Sequence, residues 1–265
     1  MKKLIMNNTE AEDIMLTAQV PRQTKTYKPI SHRQLVDLTL ESIYQSGFAL
    51  EKQQYSVAKD GNVANGRYTI SNVADSEMKL QIAWQNSYDK TLALKFAIGA
   101  SIIVCSNGMV SGDMGDFRKV HKGDIQTFTP SAISEYIKGG GDSFASLVRS
   151  REVLKTWQAG PTRTAYILGE MFIKDELISS TQLNIIKREL KNPTYDYGAE
   201  GSLWQLYNHV TFAMRETSHP SSWIKDHIAI HDFFHHTCID DQMSEISLDV
   251  SEFKDEQPFN QLEMF

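Results

Sequence analysis

Three groups of residues in this chain could do chemistry. The first is histidine. His227, His231 and His235 recur at every fourth position, so one helical face could present all three. His236, Cys238, Asp226 and Asp232 stand close by, and zinc accepts such ligands. Three ligands on one straight helix nevertheless extend over about 12 Å at 1.5 Å per residue. One ion could take the pair His227 and His231 and would need further ligands from elsewhere. The competing reading is a solvated or partner-facing helix end, where histidines suit the helix dipole. That reading is the expectation here, with no bound metal.

The second group is basic. Arg118, Lys119, His121 and Lys122 form the densest cationic cluster, just after a loop rich in Gly and Asp. Lys90 and Lys95 on a neighbouring strand, and Arg149, Arg151 and Lys155 on the next helix, could extend it into a groove for nucleic-acid phosphates. Tyr88, Phe117 and Phe128 could stack on bases. The alternative is a solvated loop whose cations pair with Asp113, Asp116 and Asp124.

The third group is the final pentapeptide, Gln261-Leu262-Glu263-Met264-Phe265. Leu262, Met264 and Phe265 can anchor in a concave apolar pocket while Gln261 hydrogen-bonds at its edge. A nucleophile is harder to find. Cys105 ends the apolar run "SIIVC", where a buried, inert thiol is the default. The Gly-rich "KGGGDS" lacks the Lys-Ser/Thr ending of a phosphate-binding loop, and neither Gly-x-Ser-x-Gly nor His-Glu-x-x-His occurs. No catalytic residue and no cofactor is expected.

The elements that must position these groups change character along the chain. Residues 1–30 lack a sustained period and read as an arm. Ser31 with Gln34 reads as a helix start, and Gly47 as its end. A strand-rich block follows from about 48 to 110. Asp60-Gly61 reads as a turn in it, Asn65-Gly66 as a hairpin and "MKLQIAW" as an alternating strand. "LALKFAIGASIIVCSNGMV" reads as two strands broken near Gly99. From Thr129-Pro130 to about residue 236 the period becomes helical, with a break at Gly139-Gly140-Gly141. Strands first and helices afterwards predict an α+β fold: an N-terminal, mainly antiparallel sheet, then a helical half. The expected layout is an arm over 1–30, one body over 31–236 and an acidic, flexible tail over 237–265.

Charge supports that division. The chain of 265 residues carries a formal net charge of −6, but residues 237–265 hold eight acids against Lys254 alone. The remainder is near neutral, and such asymmetry suggests an interaction tail. Two cysteines without metal-site spacing and no apolar run of membrane-spanning length lead to a cytoplasmic expectation.

Two stretches carry a family resemblance. One contains Asn86, Ser87, Asp89, then Val104, Cys105, Asn107, then His121 and Gly123. The other contains Tyr207, Asn208, Val210 and Thr211. In this order they resemble the phage/plasmid-like family, proteins of phages, prophages and plasmids built on a domain of unknown function. Gly108, Met109 and the acidic tail depart from its pattern. The resemblance implies a mobile-element setting near DNA repair and recombination, and no activity. Separately, Gln261–Phe265 resembles the motif that bacterial polymerases and repair proteins insert into the DNA sliding clamp.

The leading expectation is therefore a DNA-metabolism accessory protein of a phage or other mobile element. It would bind single-stranded or junction DNA and be tethered to a host or phage clamp by its tail. One alternative is a counter-defence or host-takeover protein acting on the clamp or a host nuclease without binding DNA. The other is a metal-dependent enzyme using His227 and His231. No membrane partner is expected, and self-association is left open.

Overall fold

Four long antiparallel strands dominate the first half of the chain, and helices fill the second. The computed structural model describes residues 8–110, 117–121, 125–217 and 219–237. Helices α1 (Asn8–Thr17) and α2 (His32–Gln45) precede strands β1 (Leu50–Ala58), β2 (Val63–Ala74), β3 (Met78–Ser87) and β4 (Leu94–Ile102). Two three-residue strands, β5 (Gly108–Val110) and β6 (Phe117–Lys119), share the outer edge of β4. β5 lies along Gly99–Ser101 and β6 along Leu94–Phe96. Then come α3 (Ile125–Lys138), α4 (Gly140–Thr156), α5 (Pro161–Gly169), α6 (Ser180–Lys191), α7 (Leu203–Thr217) and α8 (Trp223–Asp232). Short π-helical turns follow α5 and α8. The α+β class and the order of sheet and helices are as the sequence predicts.

Register explains the layers. The cross-strand rows Tyr68–Ile82–Ile98 and Gly66–Trp84–Phe96 put large apolar groups on one sheet face, because directly paired residues share a face. This face meets the helices in the main core, with α7 buried almost all round from Leu203 to Met214. The opposite rows, Arg67–Ala83–Ala97 and Asn65–Gln85–Lys95–Arg118, are mostly polar. There α8 lays Trp223 and Ile224 against Ala83, Ala97 and Val110 in a second, smaller cluster.

Several expectations are corrected. Asn65-Gly66 is not a hairpin; both residues lie inside β2. Gly66 is there because a Cβ would stand 2.7 Å from the Trp84 indole across the pair. The turn between β1 and β2 is Lys59–Asn62, where Lys59, Asp60 and Gly61 take positive φ and Asn62 N donates to Lys59 O at 3.0 Å. The arm is partly helical, with Ala11 and Met15 of α1 buried. Gly99 does not break β4, and Cys105 sits in the turn after it rather than in a strand. The α3 helix starts before Thr129 and runs through Pro130, and α4 resumes at Gly140. Ser31 does cap α2, accepting from Gln34 N at 3.0 Å, and Gly47 ends it with φ +75°. No helix among the described residues is long and apolar enough to cross a membrane.

Candidate nucleic-acid interface

The Asn-Ser-x-Asp stretch is a turn-building device. Asn86 is fully buried and donates through Nδ2 to Ile30 O at 2.9 Å and to His32 Nδ1 at 3.2 Å. Nε2 of His32 donates to Gly61 O at 2.9 Å, so a neutral imidazole satisfies both neighbours. Burial holds this histidine down at about 4. Ser87 Oγ closes the loop, accepting from Leu92 N at 3.0 Å. Burial alone would raise the Asp89 carboxyl, but hydrogen bonds from Lys59 at 2.6 Å and from Thr91 hold it at about 2. The result fixes Lys90 in the left-handed region, φ +66°, at the tip of the β3–β4 turn.

That tip faces two other segments. Tyr27, in the extended arm, donates through its hydroxyl to Tyr88 O at 3.2 Å. Lys28 N donates to His121 O at 2.9 Å, tying the arm to the chain just after β6. Between the three segments lies an open recess of about 360 Å³ lined by Thr26, Tyr27, Lys90, Thr91, Arg118 and His121, among others. The Lys90 ammonium stands 4.7 Å from the Tyr27 ring centroid. Arg118 is exposed. His121 is 6% exposed, and neither ring nitrogen finds a hydrogen-bond partner among the described residues. Its ring meets that of Tyr27 at 5.6 Å; burial lowers its pKa, against a smaller opposing pull from the nearby Lys28 backbone, which is not placed for a well-formed hydrogen bond to the ring. Among the described residues no acidic side chain lines the recess; Asp113, Asp116 and Asp124 lie outside them.

Three residues predicted from the basic cluster and its neighbouring strand, Lys90, Arg118 and His121, thus converge. Lys95 pairs with Arg118 across β4 and β6, and Lys119 stands opposite Leu94. Lys122 lies outside the described residues, as do Cys238 and the tail residues Gln261, Leu262, Met264 and Phe265. The α4 residues are elsewhere. Arg151 is 5% exposed and bound at 2.6 Å to Asp75 and to Glu152, in the β2–β3 turn and its own helix. That turn and Lys90 lie at opposite ends of β3, roughly 30 Å apart for a ten-residue strand. Arg149 is exposed on α4, one turn from this ion-pair cluster. Arg151 therefore holds α4 to the sheet end instead of extending the cationic recess. Tyr88 is no stacking platform either. It is buried against His32 with ring centroids 4.0 Å apart, and its hydroxyl accepts from His32 N at 2.8 Å.

The histidine run is solvated only at its very end, where His236 is exposed and His235 half-buried. His227 is 1% exposed and donates through Nδ1 to Trp223 O at 3.0 Å; His231 is 3% exposed. No group of three or more His, Cys, Asp or Glu converges as metal ligands among the described residues. The remaining motif residues form a buried joint. Asn107 Nδ2 donates to Asn208 O at 3.1 Å, so Val-Cys-x-Asn and Tyr-Asn-x-Val-Thr meet. Arg215 Nη1 donates to Cys105 O. Burial pushes the Cys105 thiol up to about 11, which leaves it protonated and a poor nucleophile.

Sequence reasoning missed Tyr27, whose place beside His121 depends on the return of the arm. It also missed Arg67. This guanidinium stands 5.2 Å from the Trp223 ring centroid, with neither hydrogen bond nor ion pair among the described residues. Burial lowers its pKa to about 10. A charged residue in an alternating strand reads as solvent-facing, and nothing local announces that α8 covers it.

The molecule is an α+β protein in which an N-terminal arm closes a cationic recess at one end of a meander sheet. It belongs to the family described as Domain of unknown function (DUF932), whose model matches residues 22–219. The match contains all the described residues that line the recess and stops before α8. No curated protein and no solved structure matches the chain.

Proposed function

We propose that this protein is a cytoplasmic DNA-metabolism accessory factor of a phage or other mobile element. It binds single-stranded or junction DNA at the recess, in replication, recombination or repair. The observation that supports the reading is the convergence of Lys90, Arg118 and the buried His121 in one open recess that has no acidic side chain among its described lining residues. Phosphates supply most of the attraction in such binding. With the body near neutral overall, the contact is local and weak, which suits a factor delivered by a tether. The tether is the acidic tail, whose Gln261-Leu262-Glu263-Met264-Phe265 docks on a sliding clamp, with Phe265 in the deepest apolar position.

The test uses the intact chain and a chain lacking residues 257–265. Both should retard single-stranded oligonucleotides equally at low salt, and only the intact chain should capture the clamp from host lysate. Clamp capture without any oligonucleotide binding would replace this reading with that of a host-takeover protein acting on the clamp alone. Oligonucleotide binding without clamp capture would remove the tether.

A further inference from the structure

We infer that the recess holds a single nucleotide unit, with its phosphate at the mouth between Lys90 and Arg118 and the polar edge of its base at His121. This deepens the proposed function and rests on the same recess. Four observations lead to it.

The mouth and the interior differ in chemistry. Lys90 and Arg118 are both exposed, as phosphate ligands on a nucleic-acid surface are. Among the described residues, the carboxylate next to Lys90, Asp89, is already engaged by Lys59 and Thr91 and does not line the recess. His121 is enclosed, and its two nitrogens lack partners among the described residues. A buried polar group left so is costly, and native structures seldom tolerate two on one ring. A neutral imidazole offers one donor and one acceptor. A phosphate would leave the acceptor facing a second acceptor. A heterocyclic base edge presents donors and acceptors side by side and satisfies both. The Tyr27 ring beside His121 supplies an aromatic wall. Finally, about 360 Å³ is at the small end of ligand sites, enough for one nucleotide and too little for a run of stacked bases.

The experiment is calorimetric titration of the full chain with dAMP, dCMP, deoxyribose 5-phosphate and inorganic phosphate. At least one nucleoside monophosphate should bind at least tenfold more tightly than deoxyribose 5-phosphate, which lacks the base. Arg118→Ala should weaken that monophosphate by tenfold or more. His121→Gln, which keeps one donor and one acceptor, should retain most of the preference for the base, and His121→Phe should abolish it. Thermal melting checks that each variant folds. If His121→Phe does not fold, the comparison with deoxyribose 5-phosphate still decides. Equal binding of deoxyribose 5-phosphate and both monophosphates would overturn the inference, as would no binding of either monophosphate at millimolar concentration. Oligonucleotide retardation by the same preparations separates the two ideas. Monophosphate binding without retardation leaves the nucleotide site standing and removes the strand-binding reading. Retardation that Arg118→Ala weakens, with no monophosphate bound, does the reverse.

Discussion

Replacing Lys90 and Arg118 together by Ala should change how DNA binding responds to salt more than it changes the fold. Both side chains are exposed at the recess mouth, and the backbone of Arg118, which carries the β6 pairing to β4, is untouched by the change. Lys90 gives up only its contact with the Tyr27 ring. For a single strand, each phosphate neutralised contributes about −0.7 to the slope of log K against log salt. Losing two contacts should therefore flatten the slope by about 1.4. Between 50 and 200 mM salt, that difference amounts to roughly sevenfold in affinity. Native protein should lose this much more binding across the window than the double variant. Fluorescence polarisation of a labelled oligothymidylate at four salt concentrations measures it, with a thermal melt as control for folding. Parallel slopes for the two proteins, at unchanged thermal midpoint, would show that the recess does not carry the phosphate contacts.

Other expectations concern the scaffold. Gly66→Ala should destabilise the protein by about 1–3 kcal/mol, the cost of overpacking, because the new methyl meets the Trp84 indole; an unchanged urea midpoint would refute the packing argument. Arg151→Ala should lower stability by about 1–3 kcal/mol, less than a fully buried pair because Asp75 is 26% exposed; oligonucleotide affinity should not move, and a tenfold loss would return Arg151 to the interface. His32 and His227 are held neutral by burial at about 4. The unfolded chain therefore binds more protons than the native one between pH 6.5 and 4, so stability is full above pH 6.5 and falls as pH drops. The slope should approach about 1.4 kcal/mol per pH unit for each histidine. Urea midpoints that stay flat from pH 7 to 5, above the main carboxylate range, would contradict it. Phe265→Ala should weaken a peptide of the last eleven residues for the clamp by about 2 kcal/mol in polarisation titrations, and no loss would discard the anchor.

The switch from period two to period 3.6 revealed the layering, because a sheet with one core face must alternate and a packed helix must keep a stripe. Local signals failed where a residue answers to something distant. Asn65-Gly66 has hairpin chemistry, yet Gly66 is there for an indole on the neighbouring strand. The histidine series has metal-like spacing, yet His227 and His231 are enclosed between α8 and its neighbours. Arg118 and His121 are close in sequence, so a composition scan finds them together. Lys90 joins them because β4 pairs with both β3 and β6. Arg151 looks equivalent to the other cations in sequence; depth and the acid Asp75 at the β2–β3 turn set it apart. Gln261–Phe265 remain a statement about sequence, outside the described residues.

The hydrogen bond from Lys28 N to His121 O has a kinetic consequence. Neighbouring strands from β1 to β4 are joined by short turns and can zip in the order of synthesis, with little chain entropy lost at each closure. The arm leaves the ribosome before any of them, but its anchor emerges only after β6. Until then Tyr27 and Lys28 have no seat at His121. The recess is thus the last part of the sheet end to be completed during translation, and a chain truncated before residue 121 can form the meander and the Tyr27 bond to Tyr88 yet lacks the second fastening of the arm, at Lys28.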